Sequence, residues 1–425
     1  MTRVRQITPI IVAILMTFPG IGLRLSGAAI DAPLEALVSG TAILGAAFLL
    51  TWVCGAAQAD IPQALALACV ALIAVLPEYA IDMYFTWQAG QFPESDYASF
   101  AVANMTGANQ LLVGVAWVAI VVVFWLKTGK MVVLERERGM EIGFLALATV
   151  YAFLIPLKGT LAWYDGVVLV GIYVWYIIKA GGGDLEECDA DGSAELLINL
   201  PKVKRRVTTA LLFLLAGGAV LANAQPFSEG LIETGELLEV NRFLLVQWLA
   251  PIASEAPEFT LAIMFAMRRQ PSMALGSLLS AMLNQWTLLV GMIPGVYAIS
   301  HGTLEHPIPM VVAQLDEILM TASQSLLGLA LLALLTLSVR QAALLLALFL
   351  SQSILPNVLS AQTGLLPPWL GSHELHHFFA GIYVAFALVL VMARAPRIVE
   401  LWRPSKVVRR RAILPAKERI GEFEV

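Results

Sequence analysis

The sequence predicts an all-α polytopic membrane protein with about twelve spanning helices. Three observations predict it. Of the 425 residues, 59% are hydrophobic and 13% charged, with a mean hydropathy of +0.79, whereas an average soluble domain carries about a quarter charged residues. The apolar residues run in unbroken stretches of the ~20 that a helix needs to cross hydrocarbon, without the in-out alternation of a membrane barrel. The basic residues crowd into alternate connections. This composition excludes a soluble enzyme, a nucleic-acid binder and a disordered chain. The net charge of −5 gives no reason to expect a polyanion partner. Cys54, Cys69 and Cys188 are far apart and form no CxxC pair, so neither a disulfide framework nor a zinc ribbon is expected.

The spans are read in order. The first, 7–26, is followed by no clean small-residue cleavage site and is taken as a retained helix. Next come 35–55, then the long segment 61–89, which holds Pro77-Glu78, and 97–127, which passes through a polar patch at Asn104–Asn109. Lys158 separates 140–157 from 161–180. The stretch 181–206 is glycine-rich, then acidic, then basic, and reads as a solvated linker. Beyond it lie 207–224, 242–269 with Pro257-Glu258, 272–300, 311–337, 341–360 and 373–394. Asp316 and Glu317 near the start of the tenth span read as an acid pair at a helix N-terminus.

Twelve spans place 23 of the 26 Lys and Arg residues on one side, and only Arg24, Lys158 and Arg242 on the other. Positive charge stays cytoplasmic. Both termini are therefore expected in the cytoplasm of a multi-pass plasma (inner) membrane protein, with the basic tail 395–425 against the anionic leaflet.

The chain also repeats itself. Residues 73–85 (IAVLPEYAIDMYF) resemble 252–265 (IASEAPEFTLAIMF), with Pro77-Glu78 and Pro257-Glu258 offset by 180. Each segment leads into a helix with a polar patch and then Leu-Leu-Val-Gly. Five spans separate the copies, so they cross in opposite directions, the inverted arrangement found in secondary transporters. Both glutamates fall near the midplane. Pro77 and Pro257 are expected to break their helices and free a carbonyl one turn earlier. Asp82 shares a face with Glu78, and Glu255 with Glu258. No Lys or Arg lies in either span. A charge at mid-membrane costs ~2.5–3.5 kcal/mol, so four unpaired acids are tolerable only with protons or a cation among them.

These segments resemble the α-repeats of the cation/Ca²⁺ exchanger superfamily (the sodium/calcium exchanger membrane region), whose repeat is a PE followed by a G-N-x-x-G-S-N run. Asn104-Met-Thr-Gly107-Ala108-Asn109 matches that run in the first repeat. In the second, Gly276 and Ser280-Ala281 fall in register, with Met282 where the asparagine belongs. The resemblance implies two inverted five-helix repeats (31–180 and 207–365) joined by a cytoplasmic linker (181–206). Extra spans at 1–30 and 366–394 and the tail 395–425 flank them. It implies a secondary active cation antiporter, not an enzyme, with no cofactor beyond the transported cation: Na⁺ or Ca²⁺, exchanged against H⁺. Its partners are inorganic cations and the lipid bilayer. Glu78 and Glu258 are the implied cation ligands, supported by Asn109, Gln285, Asn284 and the hydroxyl or carbonyl of Ser254. The sequence departs from the pattern at Val75, Ala108, Met282 and Leu112, where hydroxyl or amide oxygens are lost. Glu255 and Asp82 are added carboxylates, which favour protons as the counter-ion.

Two other readings stand beside this one. His373-Glu374-Leu375-His376-His377 fits H-E-x-x-H, in which His373 and His377 would hold zinc with Glu374 as base; an interfacial histidine cluster is the plainer alternative. A cation channel or scaffold would also tolerate repeats with buried acids. Gln314, Ser323, Gln324 and Gln352 add polar groups to late spans with no role assigned.

Overall fold

The structure is a computed structural model describing residues 3–58, 60, 75–180, 193–304, 306–362 and 372–402. The start of the expected third span, the acidic part of the linker (181–192), Cys69, Cys188 and the tail from 403 lie outside the described residues.

The chain is a bundle of helices. The first half contains α1 (Arg3–Ser26), α2 (Ala32–Gln58), α3 (Leu76–Gln91) and α4 (Tyr97–Leu111). A π-helical turn (Leu112–Ala116) carries α4 into α5 (Trp117–Thr128), followed by α6 (Gly139–Ala152), α7 (Leu154–Lys158) and α8 (Trp163–Ala180). The second half contains α9 (Ser193–Ile198), α10 (Lys202–Leu237), α11 (Arg242–Met267) and α12 (Pro271–Asn284). Here too a π-helical turn (Gln285–Leu289) intervenes, before α13 (Val290–His301), α14 (Val312–Leu332), α15 (Val339–Gln362) and α16 (Ser372–Trp402). Both π turns directly follow the polar patches, and π insertions gather at functional sites.

Among the described residues, nine helical segments are long and apolar enough to cross a membrane. Neither α3 nor α11 is one of them. The described part of α3 has 16 residues, and α11 carries two acids, Glu255 between Pro251 and Pro257 and Glu258 directly after the second proline.

The loops sort into two ends. At one, β1 (Val132–Val133) pairs antiparallel with β2 (Thr336–Leu337), and the Glu135 amide donates to Ser272 Oγ at 3.1 Å. At the other, Gln91 donates to the Ser300 carbonyl at 2.9 Å, and Arg242 pairs with Asp96 at 3.0 Å. Lys127–Arg138, Arg268–Arg269 and Arg340 fall at the first end, as the alternation of spans requires.

Two expectations need correction. The span read at 207–224 is the 36-residue helix α10. Its polar second half stays helical against the bundle: Glu229 accepts from Tyr97 at 2.7 Å and from Tyr84, and Asn223 turns its amide back on the Ala219 carbonyl at 2.8 Å. The end of the linker is also docked. Ser193 Oγ donates to the Gln6 carbonyl at 2.9 Å, and Gln6 donates to Glu195 at 2.8 Å. Arg205 grips Asp60 at 2.7 and 3.0 Å. These hydrogen bonds, with Arg206 beside them, hold the Asp60 carboxyl down to about 2.

The repeats interlock. α11 packs along α4 and α12, while α3 packs along α4 and α13, so each acid-bearing helix leans on a helix of the other half. The α4–α11 crossing is close enough to demand glycine: a Cβ on Gly107 would stand 1.9 Å from the Gln247 carbonyl oxygen.

Candidate cation site between the repeats

Glu78 lies in the first turn of α3, directly after Pro77. Glu255 lies in α11 between Pro251 and Pro257. Both are buried, and Gln285, the first residue of the second π turn, joins them. Its Nε2 donates to Glu255 Oε1 at 2.5 Å and reaches Glu78 Oε2 at 3.4 Å. Asp82, one turn along α3, is fully buried and accepts from Asn104 at 2.7 Å. Tyr79 donates to Asn284 Oδ1 at 2.7 Å.

Most of this oxygen is unused. Glu78 Oε1, Asp82 Oδ2, Asn104 Oδ1, Asn109 Oδ1, Glu255 Oε2, Glu258 Oε2 and Gln285 Oε1 are buried without a hydrogen-bond partner. Buried polar groups are normally paired, and clustered exceptions call for an explanation. Acceptors without donors, contributed by both repeats, are what a cation or a proton would satisfy.

The structure regroups the residues read from the sequence. Glu78 meets Glu255 and Gln285, whereas the expected partner Glu258 lies beside Glu255 and is only half-buried. The sequence did carry the signal. Leu111–Gly114 recurs at Leu288–Gly291, an offset of 177, and the same offset takes Glu78 onto Glu255. The PE match at 180 takes it onto Glu258 instead. Asn109 spends its amide on the Met105 carbonyl at 3.1 Å and leaves its oxygen spare. The Ser254 hydroxyl turns back on the Ala250 and Pro251 carbonyls. Pro77 stands at the start of α3. Pro257 does not break its helix, because α11 runs unbroken through both prolines. A missing N–H removes one ladder bond, and neighbouring helices hold the rest of the turn in place.

The histidine cluster is not arranged as a zinc protease. His376, the x before the last histidine, turns to Glu317 Oε1 at 3.0 Å. His377 faces Asp316 at 3.6 Å with its side chain 47% exposed, Glu374 is exposed, and the His373 side chain lies outside the described residues. Among the described residues, no three His, Cys, Asp or Glu side chains are grouped to hold a metal ion. Asp316 and Glu317 are likewise not a solvated helix-end pair. Both are buried, because α16 covers them.

The chain matches the family described as sodium/calcium exchanger protein over residues 34–180 and 208–355. No curated relative matches it. Among solved structures, the H⁺/Ca²⁺ exchanger CAX is 37% identical, with 94% of this chain covering 97% of that one at a TM-score of 0.85. YfkE, at 14% identity, aligns 81% of this chain with 97% of its own (TM-score 0.59). The sodium-calcium exchanger NCX_Mj, at 15% identity, aligns 79% with 100% (TM-score 0.50). The latter two share the fold. The chain is therefore a member of the sodium/calcium exchanger protein family, a multi-pass membrane transporter and not an enzyme.

Proposed function

We propose that the protein is a cation antiporter that exchanges Ca²⁺ for H⁺ at the carboxylates of Glu78 and Glu255. One observation carries the reading: acids from the two repeats meet across Gln285, amid buried oxygens that lack donors. Ca²⁺ takes six to eight oxygens, several of them from carboxylates. Asp82, Asn104, Asn109 and Glu258 extend the donor set, and Asn284 is held beside it by Tyr79. Ser254 serves through helix position, its hydroxyl being spent within α11. Protons and Ca²⁺ compete for the same oxygens, so loading one releases the other, which is antiport. The 37% identity to an H⁺/Ca²⁺ exchanger over 94% of the chain supports this pair of ions; Na⁺ fits less well, since the exchanger pattern has lost hydroxyls at Val75 and Ala108.

In this reading the inverted repeats, 31–180 and 207–365, rock about the site and expose it alternately to the two faces. Twelve spans with both termini cytoplasmic follow from the charge split, and the linker 181–206 lies on the cytoplasmic side. The test is calcium uptake into proteoliposomes under an imposed pH gradient. Wild type should take up Ca²⁺ only against proton movement, and Glu78→Gln should lose both fluxes. Undiminished proton-coupled uptake by Glu78→Gln would remove the carboxylate site from the mechanism.

A further inference from the structure

A second buried polar network lies toward the end of the bundle that holds the starts of α4, α11, α14 and α16, and the central site does not use it. Glu317 of α14 is its hub. Its Oε2 accepts from Gln110 of α4 at 3.0 Å and from Gln247 of α11 at 3.1 Å. Its Oε1 meets His376 Nε2 of α16 at 3.0 Å. Gln110 also donates to Thr321 at 2.8 Å. Its own oxygens take the amides of Gln352 at 3.2 Å and of Gln324 at 3.3 Å. Five helices thus send polar side chains to one place inside an apolar bundle.

Three features set this network apart from a sealed structural knot. It reaches the surface, since the side chain of His376 is 17% exposed and that of the adjoining His377 47%. It is under-satisfied at its inner end, where Gln324 Oε1 and Gln352 Oε1 are buried without partners beside Gln110. Water is the usual partner of such groups and needs two to four polar contacts, which these carboxamides supply. It also adjoins the central site, since Gln110 follows Asn109, whose spare oxygen belongs to that site, and α4 packs on the π turn that begins with Gln285.

We propose that His376, Glu317 and Gln110 form a proton branch that connects one membrane face with the central carboxylates, separately from the cation's own route. The inference rests on the antiport reading above. A proton taken up at the His376 imidazole passes to the Glu317 carboxylate. Water held by Gln324 and Gln352 carries it past Gln110 to the central acids, where it displaces a cation charge. His376 regains its neutral form once Glu317 holds the proton, so each transfer leaves the branch unchanged. The titratable groups facing the relay are Asp316 of α14 and Glu374 and His377 of α16; α4, α11 and the described side chains of α15 face it only with amides and apolar groups. Asp316 beside His377 gathers protons at the mouth. The branch faces the exterior in the proposed topology.

The experiment compares two transport modes of the full chain in proteoliposomes. Calcium counterflow at equal pH needs no net proton movement, whereas pH-driven calcium uptake does. Glu317→Gln and His376→Gln should lower pH-driven uptake by about a hundredfold or more, the scale on which removing a positioned proton-transfer group acts. Counterflow should stay within about twofold, and Glu317→Asp should restore coupling. Equal pH-driven uptake in wild type and both variants overturns the branch, and so does a parallel fall in both modes. Should Glu317→Gln misfold, His376→Gln and Gln352→Leu read the same two modes from the ends of the network. Counterflow without any pH-driven uptake in wild type would instead sink the proton coupling itself.

Discussion

Glu255 and Glu258 lie three residues apart, and the geometry assigns them unequal weights. Glu255 accepts from Gln285 at 2.5 Å, and the same amide lies 3.4 Å from Glu78. A cation on these oxygens would sit within ~4 Å of the Glu255 charge. Unit charges at that separation, at an effective dielectric of ~20, attract by about 4 kcal/mol. Neutralising Glu255 should therefore weaken cation affinity about a thousandfold per unit of cation charge, at 1.4 kcal/mol per decade. Glu258 lies beside Glu255 and not at Gln285. A charge at about 8 Å interacts by about half as much, so its neutralisation should cost ~30-fold. The assay is initial calcium uptake against calcium concentration for Glu255→Gln and Glu258→Gln, with folding checked by gel filtration. If Glu258→Gln were the more damaging, the 180-residue register would be the right one and the pairing across Gln285 an unproductive contact.

Two further outcomes test the framework around the site. Gly107→Ala places a Cβ 1.9 Å from the Gln247 carbonyl, and overpacking of this kind costs ~1–3 kcal/mol. Thermal melting in detergent should show the loss, together with weaker transport because α11 carries Glu255; an unchanged melting temperature would show that the α4–α11 crossing is loose. Asp60→Asn removes the partner of Arg205. The folded carboxyl is lowered from its ordinary 3.8 to about 2, so its stabilisation is full above about pH 4. That stabilisation drains away as pH falls through about 2. The melting difference between wild type and Asp60→Asn should be present at neutral pH and vanish near pH 2, and a difference that grows on acidification would contradict the pairing.

Much of the site was legible because membrane chemistry makes acids conspicuous. Glu78, Asp82, Glu255 and Glu258 stand out in apolar segments with no basic partner, where an ionisable residue is a candidate for function by default. Asn109 and Gln285 were found through the repeat. The pairing was not legible, because two registers, 177 and 180, both match a glutamate to Glu78, and side-chain direction chooses between them. The outer network was missed for another reason. Gln110, Gln247, Glu317 and His376 lie on four helices with no common spacing, and Glu317 at a helix start looks like an ordinary dipole-compensating acid.

By itself the sequence determined the membrane class, the helical character of the spans, the sorting of basic loops to one end and the duplication. All of these are local or periodic properties set by the transfer of side chains between water and lipid. The tertiary structure alone decided which acids meet, that α11 survives two prolines, that α10 extends through a polar segment, and that a histidine and an acid 59 residues apart share a proton-bearing contact. Those outcomes depend on which helices lie side by side, and hydropathy, which reports only on the choice between water and lipid, is indifferent to that.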